Sequence, residues 1–262
     1  HRDLHSFPTR RSSDLRGTKV ILIITLSVAF TAALFAYFYY STINRSEDPR
    51  VLEARILLNE YDKITSFQNP SVAFRKLDSA MVIFRSFPDY KQSFETGVIY
   101  NNKCSSLLMK ALYDTTPGKN EKETLLNLAL EYCDSGIYIY KGWITEWGSL
   151  TRDEISDKLH SYMKSEDPFL SHNFERIFSR RIRNIMMAQT ETPRRLSVSL
   201  TNKGTIFRHM MKPDSARVMY SEALSLWKEN RTARSNMSVL SGGEPLKPSV
   251  IESLFPPDKN RK

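Results

Sequence analysis

Glycine is scarce in this sequence, nine in 262 residues, and no run of alternating β-branched residues stands out. The first shortage removes the glycine-rich loops that cradle phosphates. The Ser241-Gly242-Gly243 triplet lacks the strand and helix that such a loop needs, and it reads as a flexible turn. The second removes the period-two pattern of a half-buried sheet. Leu, Ala, Lys, Glu, Arg and Ser dominate what remains, so the expected fold class is all-α. Chemistry-bearing patterns are missing as well: there is no HExxH, no CxxC and no paired-carboxylate motif. Beyond the first fifteen residues the histidines are His160, His172 and His209, at spacings that suit no metal site. A lone helical histidine reads as a surface or partly packed residue. No catalytic residue, metal, cofactor or small-molecule substrate is therefore expected, and the chain is not expected to be an enzyme.

His1 to Leu15 (HRDLHSFPTRRSSDL), back-translated in a single frame, resembles a sequencing-library adapter. It is set aside from the fold on that ground, with the expectation that the natural start of the chain is lost. This segment carries Arg2, Arg10 and Arg11 against Asp3 and Asp14, which is +1 of the chain's +9 and leaves +8 on the rest. A surplus of that size over such a length is a weak electrostatic signal, and no nucleic-acid partner is expected from it. Val20 to Tyr40 (VILIITLSVAFTAALFAYFYY) contains no charge and spans roughly 30 Å as a helix, the thickness of a bilayer core. Arg16 and Lys19 precede it, and Tyr37, Tyr39 and Tyr40 gather at its far end, where amphipathic rings favour the interface. A transmembrane helix over 19–41 is expected, ended by Asn44 to Pro49. Thr31-Ala32-Ala33 offers a signal-peptide cleavage site, but the apolar run continues to Tyr40, which favours an uncleaved anchor. A single anchor ahead of a large C-terminal domain points to a cytoplasmic N-terminus and an extracytoplasmic domain, on the periplasmic side of a bacterial envelope.

Beyond the anchor, a helical domain is expected over 51–240. Its clearest piece is Leu200 to Trp227, where Gly204 and Phe207 stand in a first helix, Pro213 and Asp214 break it, and Ala216, Tyr220 and Ala223 stand in a second. Asp214 is the expected N-cap of that second helix. A small residue such as Gly204 or Ala223 lets two antiparallel backbones approach, while Phe207 and Tyr220 fill the space beside it. These five positions resemble the tetratricopeptide repeat: small at its eighth place, aromatic at the eleventh, small at the twentieth, aromatic at the twenty-fourth, small at the twenty-seventh. Lys228 stands where the family's closing proline falls. Asn102-Lys103-Cys104 echoes Asn202-Lys203-Gly204, with Leu107 in the place of Phe207 and, after a longer turn over 115–122, Ala129, Cys133 and Gly136 in the places of Ala216, Tyr220 and Ala223. A looser copy places Tyr61 at the small position, then the Asn69-Pro70 break, then Ala73, Leu77 and Ala80. The resemblance implies a solenoid of α-hairpins at about 54–86, 97–141, 151–189 and 197–230. It also implies a role in binding protein or peptide partners. The alignment sets Cys104 and Cys133 at positions that face one another. Outside the cytoplasm a disulfide is feasible there; two buried thiols acting as small apolar side chains are the preferred reading.

The hairpin at 151–189 fits no repeat template. Thr151 to Glu154 reads as a helix start with acid in its first turn. Phe174, Ile177, Phe178, Arg181, Ile182, Ile185 and Met186 describe an amphipathic helix. Arg176, Arg180, Arg181, Arg183, Arg194 and Arg195 form the densest basic cluster. A solvated helix face is the preferred reading; a patch for an acidic partner or anionic headgroups at Arg176, Arg180, Arg183, Arg194 and Arg195 is the functional one. Trp143, Trp147, Trp227, Tyr138 and Tyr140 read as hairpin core before they read as a binding surface. Arg231 to Leu240 reads as a short closing helix, and 241–262 as a flexible tail. The expected function is a membrane-anchored scaffold for protein–protein interaction at the cell envelope. The alternatives are a structural subunit of a membrane complex and, behind that, a membrane-bound enzyme or sensor.

Overall fold

A computed structural model describes residues 12–44, 46–64 and 70–247. Every regular element among them is an α-helix: α1 (Ser12–Asn44), α2 (Leu52–Asp62), α3 (Pro70–Arg85), α4 (Phe94–Tyr113), α5 (Lys119–Trp147), α6 (Arg152–His160), α7 (Phe174–His209), α8 (Pro213–Leu226) and α9 (Arg231–Leu240). The chain forms two units, one up to Glu47 and one from Asp48 onward. The first holds α1, whose stretch Lys19–Phe38 is long and apolar enough to cross a membrane. That stretch buries none of its side chains against protein. Most of the segment set aside, residues 1–11, lies outside the described residues, as do Asn69 and residues 248–262; α1 starts at Ser12, inside that segment.

In the second unit, helices adjacent in sequence pack together: α2 with α3, α4 with α5, α7 with α8, and α9 against α8. Contacts of α3 with α4 and of α5 with α7 join these pairs. The α4–α5 pair is antiparallel and close. The Tyr140 ring lies where a Cβ on Gly97 would have to go, the nearest ring carbon being 2.5 Å from that position. Seven residues after Gly97 and seven before Tyr140, Cys104 and Cys133 meet across the same seam. They are joined as a disulfide with Cα atoms 5.2 Å apart, in place of the two free thiols preferred from sequence. The α7–α8 pair repeats the arrangement with Gly204 against the Tyr220 ring, 2.6 Å from the virtual Cβ. In the α2–α3 pair Tyr61 holds the corresponding place. Its ring extends instead toward α4, where its hydroxyl meets the Asn102 carbonyl at 3.2 Å and Ser106 Oγ at 2.9 Å.

Ala73, Leu77, Ala80, Cys104, Leu107, Ala129, Cys133, Gly136, Gly204, Ala216, Tyr220 and Ala223 are all buried, and Phe207 is half-buried beneath the Lys203 ammonium. Two equivalent ion pairs stitch neighbouring pairs of helices together. Lys103, one residue before Cys104, binds Asp78, one residue after Leu77. Lys203, one before Gly204, binds Asp134, one after Cys133, at 2.6 Å.

Three sequence expectations are corrected. The helix expected to end near 189 and the one expected to start near 197 are a single helix, α7, which runs 36 residues through Pro193. An interior proline removes one helical hydrogen bond and costs about 3 kcal/mol. The unbroken buried face of Ala188, Thr192, Leu196 and Leu200 offsets that cost. Helix α5 likewise continues past 141 to Trp147, which takes Trp143 and Trp147 into a core with Ile155, Leu159, Phe174 and Ile177. Asp214 is not the N-cap of α8: Lys212 is, and Pro213 takes the first helical position, leaving Asp214 in the first turn where its charge favours the helix dipole. Thr151 caps α6 through a capping box, with Thr151 N–H donating to Glu154 Oε2 at 2.8 Å.

Helices α7 and α9 end alike. In α9, Gly242 N–H donates to the Val239 carbonyl and Gly243 N–H to the Ser238 carbonyl, with Gly242 at φ +82°. In α7, Met211 N–H donates to the Arg208 carbonyl and Lys212 N–H to the Phe207 carbonyl, with Met211 at φ +57°. Glycine adopts this left-handed conformation without cost, whereas a side chain pays about 1–2 kcal/mol. Met211→Gly should therefore stabilise the fold by about 1 kcal/mol in a denaturant titration; a loss of stability would show that the Met211 side chain supports the fold. Reduction of the disulfide releases a 29-residue separation and should cost about 3–4 kcal/mol by the chain-entropy relation. Comparing denaturation midpoints with and without reductant checks this, and coincident midpoints would contradict it.

Candidate functional site

The arginines of α7 fall into two classes. Arg181 points inward with Ile177, Phe178, Ile182 and Ile185 and is 2% exposed. Its Nη1 donates to Glu95 Oε1 at 2.6 Å, its Nη2 donates to the Asp89 carbonyl at 3.1 Å, and its guanidinium lies 3.9 Å from the Tyr90 ring centre. Beside it, Arg50 binds Asp48 at 2.8 Å, Asp89 at 3.1 Å and Asp167 at 3.7 Å, and the Tyr90 hydroxyl donates to Asp48. These charges join the segment before α2, the α3–α4 loop, α4, the α6–α7 loop and α7. Burial alone pulls the Arg181 guanidinium down. Glu95, Tyr90 and Asp89 outweigh burial and hold it above its ordinary value. Asp89 is pushed up by burial, against the pull of Arg50 and Arg181. Sequence placed Arg181 both on an apolar face and in a basic cluster; it belongs to the core.

The other arginines stay at the surface. Arg176, Arg183, Arg194 and Arg195 are exposed and Arg180 is half-buried. At 100° per residue Arg176, Arg180, Arg183, Met187 and Arg194 follow one line up the helix, over about 27 Å. Met187, 67% exposed, sits in the middle of that line. Glu191 pairs with Arg194 at 2.9 Å. Burial raises the pKa of the Tyr140 hydroxyl, against the opposing pull of the Arg195 guanidinium. Next to this stripe a cavity of about 270 Å³ opens between α2, α4 and α7. Phe94, Met187 and Ala188 give it apolar walls, and Arg55 and Arg195 with Glu95 and Glu191 give it charge of both signs. The stripe and the cavity share Met187, so they adjoin: a line of arginines runs beside an apolar recess large enough for a side chain, whose rim carries both arginines and carboxylates. Sequence periodicity carried the stripe; it carried no signal for the recess, which depends on three helices meeting.

Tyr140, Trp143 and Trp147 are core, Trp227 is half-buried, and Tyr138 is exposed on α5. The His160 ring stacks on Phe178 with centres 4.3 Å apart. His172 is exposed beside Ser171. His209 is held below its ordinary value by partial burial and by the neighbouring Arg208. No group of three or more His, Cys, Asp or Glu side chains able to hold a metal occurs among the described residues. Comparison with known protein families, with curated proteins and with solved structures finds no match.

Removal of Arg181 leaves Glu95 buried without its cation. Arg181→Met should cost about 3–5 kcal/mol, with much of the loss recovered in the Arg181→Met/Glu95→Met double variant. Arg183→Met should change stability by less than about 0.5 kcal/mol. Thermal denaturation of the three variants tests the division, and equal losses at 181 and 183 would contradict it.

Proposed function

We propose that this chain is a membrane-anchored, tetratricopeptide-like scaffold that holds a protein partner through the basic face of α7, with its helical domain on the extracytoplasmic side of the cell envelope. The observation that carries this reading is the recurrence of one register. Gly204 with Tyr220 and Cys104 with Cys133 occupy equivalent facing positions, and Lys103–Asp78 and Lys203–Asp134 link successive helix pairs at equivalent places. Such nearest-neighbour repetition is how solenoids are stabilised, and their extended surfaces serve partner binding. Helix α1, taken as an uncleaved anchor, localises that surface at a membrane. The disulfide supports an extracytoplasmic domain, because such bonds persist in oxidising compartments. The α7 stripe supports an acidic partner surface, with the recess beside Met187 receiving an apolar or aromatic anchor.

Purification of the full chain from native membranes in mild detergent should recover a partner in fixed proportion. The Arg176→Glu/Arg183→Glu/Arg194→Glu variant should lose it while keeping its melting temperature within a few degrees, since all three positions are exposed. Recovery of the native chain alone, or an unaltered complex with the triple variant, sinks the assignment.

A further inference from the structure

A second cleft lies at the opposite end of the hairpins from the α7 stripe's recess, where the α4–α5 turn faces the α7–α8 turn. It holds about 730 Å³, within the range of sites that take a ligand of several groups. Leu112, Leu126 and Met210 line its floor. Lys119, Lys122 and Lys212 stand around it, with Glu123 the one carboxylate among the lining residues. At its lip is Met211, 86% exposed and held in the left-handed backbone region that glycine fills at the matching end of α9. The strained backbone at the edge of an apolar-floored cleft is the observation from which the proposal starts.

We propose that this cleft binds a short peptide segment of a partner protein in which apolar side chains lie between carboxylates, the apolar groups seated on Leu112, Leu126, Met210 and Met211 and the carboxylates facing Lys119, Lys122 and Lys212. Charge complementarity selects an acidic segment over a basic one. No Phe, Tyr or Trp is among the lining residues, His209 being the one ring there, which disfavours a stacking platform for nucleic-acid bases. The open shape of the cleft suits a chain laid across it. This inference does not depend on the α7 face binding anything.

The test uses the full chain in nanodiscs of zwitterionic lipid, with methionine ε-methyl groups labelled for NMR. The probes are a blocked tetrapeptide with two central leucines between an aspartate and a glutamate, and the same peptide with serines in place of the acids. The acidic peptide should shift the Met210 and Met211 methyls and leave buried Met163 unmoved. Its affinity should fall about tenfold in Lys119→Glu/Lys122→Glu/Lys212→Glu, about tenfold for the serine peptide, and further with added salt. Met211→Gly, which relieves the backbone, should bind the acidic peptide more weakly while folding more stably. The proposal is overturned by equal affinity for the two peptides, by unchanged affinity in the lysine variant or in Met211→Gly, or by shifts confined to Met186 and Met187. Loss of the co-purified partner in the α7 variant with peptide binding intact would separate this cleft from the α7 surface.

Discussion

Two helices can share a core at short range only where one of them withholds a side chain. That constraint organises the second unit of this protein. Gly97 yields to Tyr140 and Gly204 to Tyr220, each at a distance that a Cβ could not tolerate. Cys104 and Cys133 meet the same demand by becoming one covalent unit. Once α4 lies that close to α5, Lys103 is brought to Asp78 on α3 and Asp134 is presented to Lys203 on α7. The spacing inside one pair of helices therefore sets how the next pair docks. A larger residue at position 97 or 204 would part the seam and displace the ion pairs on either side of it.

The buried charges serve a different end. A desolvated guanidinium is costly, and ion pairs of this kind seldom stabilise a fold relative to apolar packing. What Arg50 and Arg181 contribute is definition: each has carboxylate or carbonyl partners on separate segments, and one arrangement of the segment before α2, the α3–α4 loop, α4, the α6–α7 loop and α7 satisfies them together. Asp89 Oδ1, Glu95 Oε2 and Arg181 Nε are left without partners among the described residues. The cluster is thus near the limit of what its geometry can satisfy, which makes it sensitive to the loss of any member.

The helical class, the facing of Gly204 and Tyr220 and the apolar α1 stretch could be read in the sequence, because each is written in local spacing; the equivalent approach of Gly97 to Tyr140 was not read there. Period and turn residues place Gly204 opposite Tyr220 without any knowledge of the rest of the chain. The continuity of α7 could not be read this way. It depends on burial from Ala188 to Leu200 outweighing Pro193, and the surfaces that do the burying come from other helices. The role of Arg181 was hidden for the same reason. Its neighbours in sequence are arginines at the surface, and only Glu95 and Asp89, nearly a hundred residues away, distinguish it from them. Both recesses lie where helices distant in sequence converge, and no local pattern announces such a place.

Helix α9 shows that this chain can end a helix on glycine at no conformational cost. At the equivalent place in α7 it carries methionine, with a strained backbone and an exposed apolar side chain. Neither the core nor a hydrogen bond explains that choice: the two hydrogen bonds closing the helix come from backbone groups that glycine would present equally well. What distinguishes the two ends is their surroundings. Gly242 has open space around it, whereas Met211 stands on the lip of the cleft between the α4–α5 and α7–α8 turns, among lysines and above an apolar floor. A backbone outlier of this kind, at the edge of a cleft, is where a functional hypothesis starts. The α7–α8 corner, rather than the buried seam that makes the hairpins possible, is where this fold departs from the lowest-energy solution its own sequence uses elsewhere.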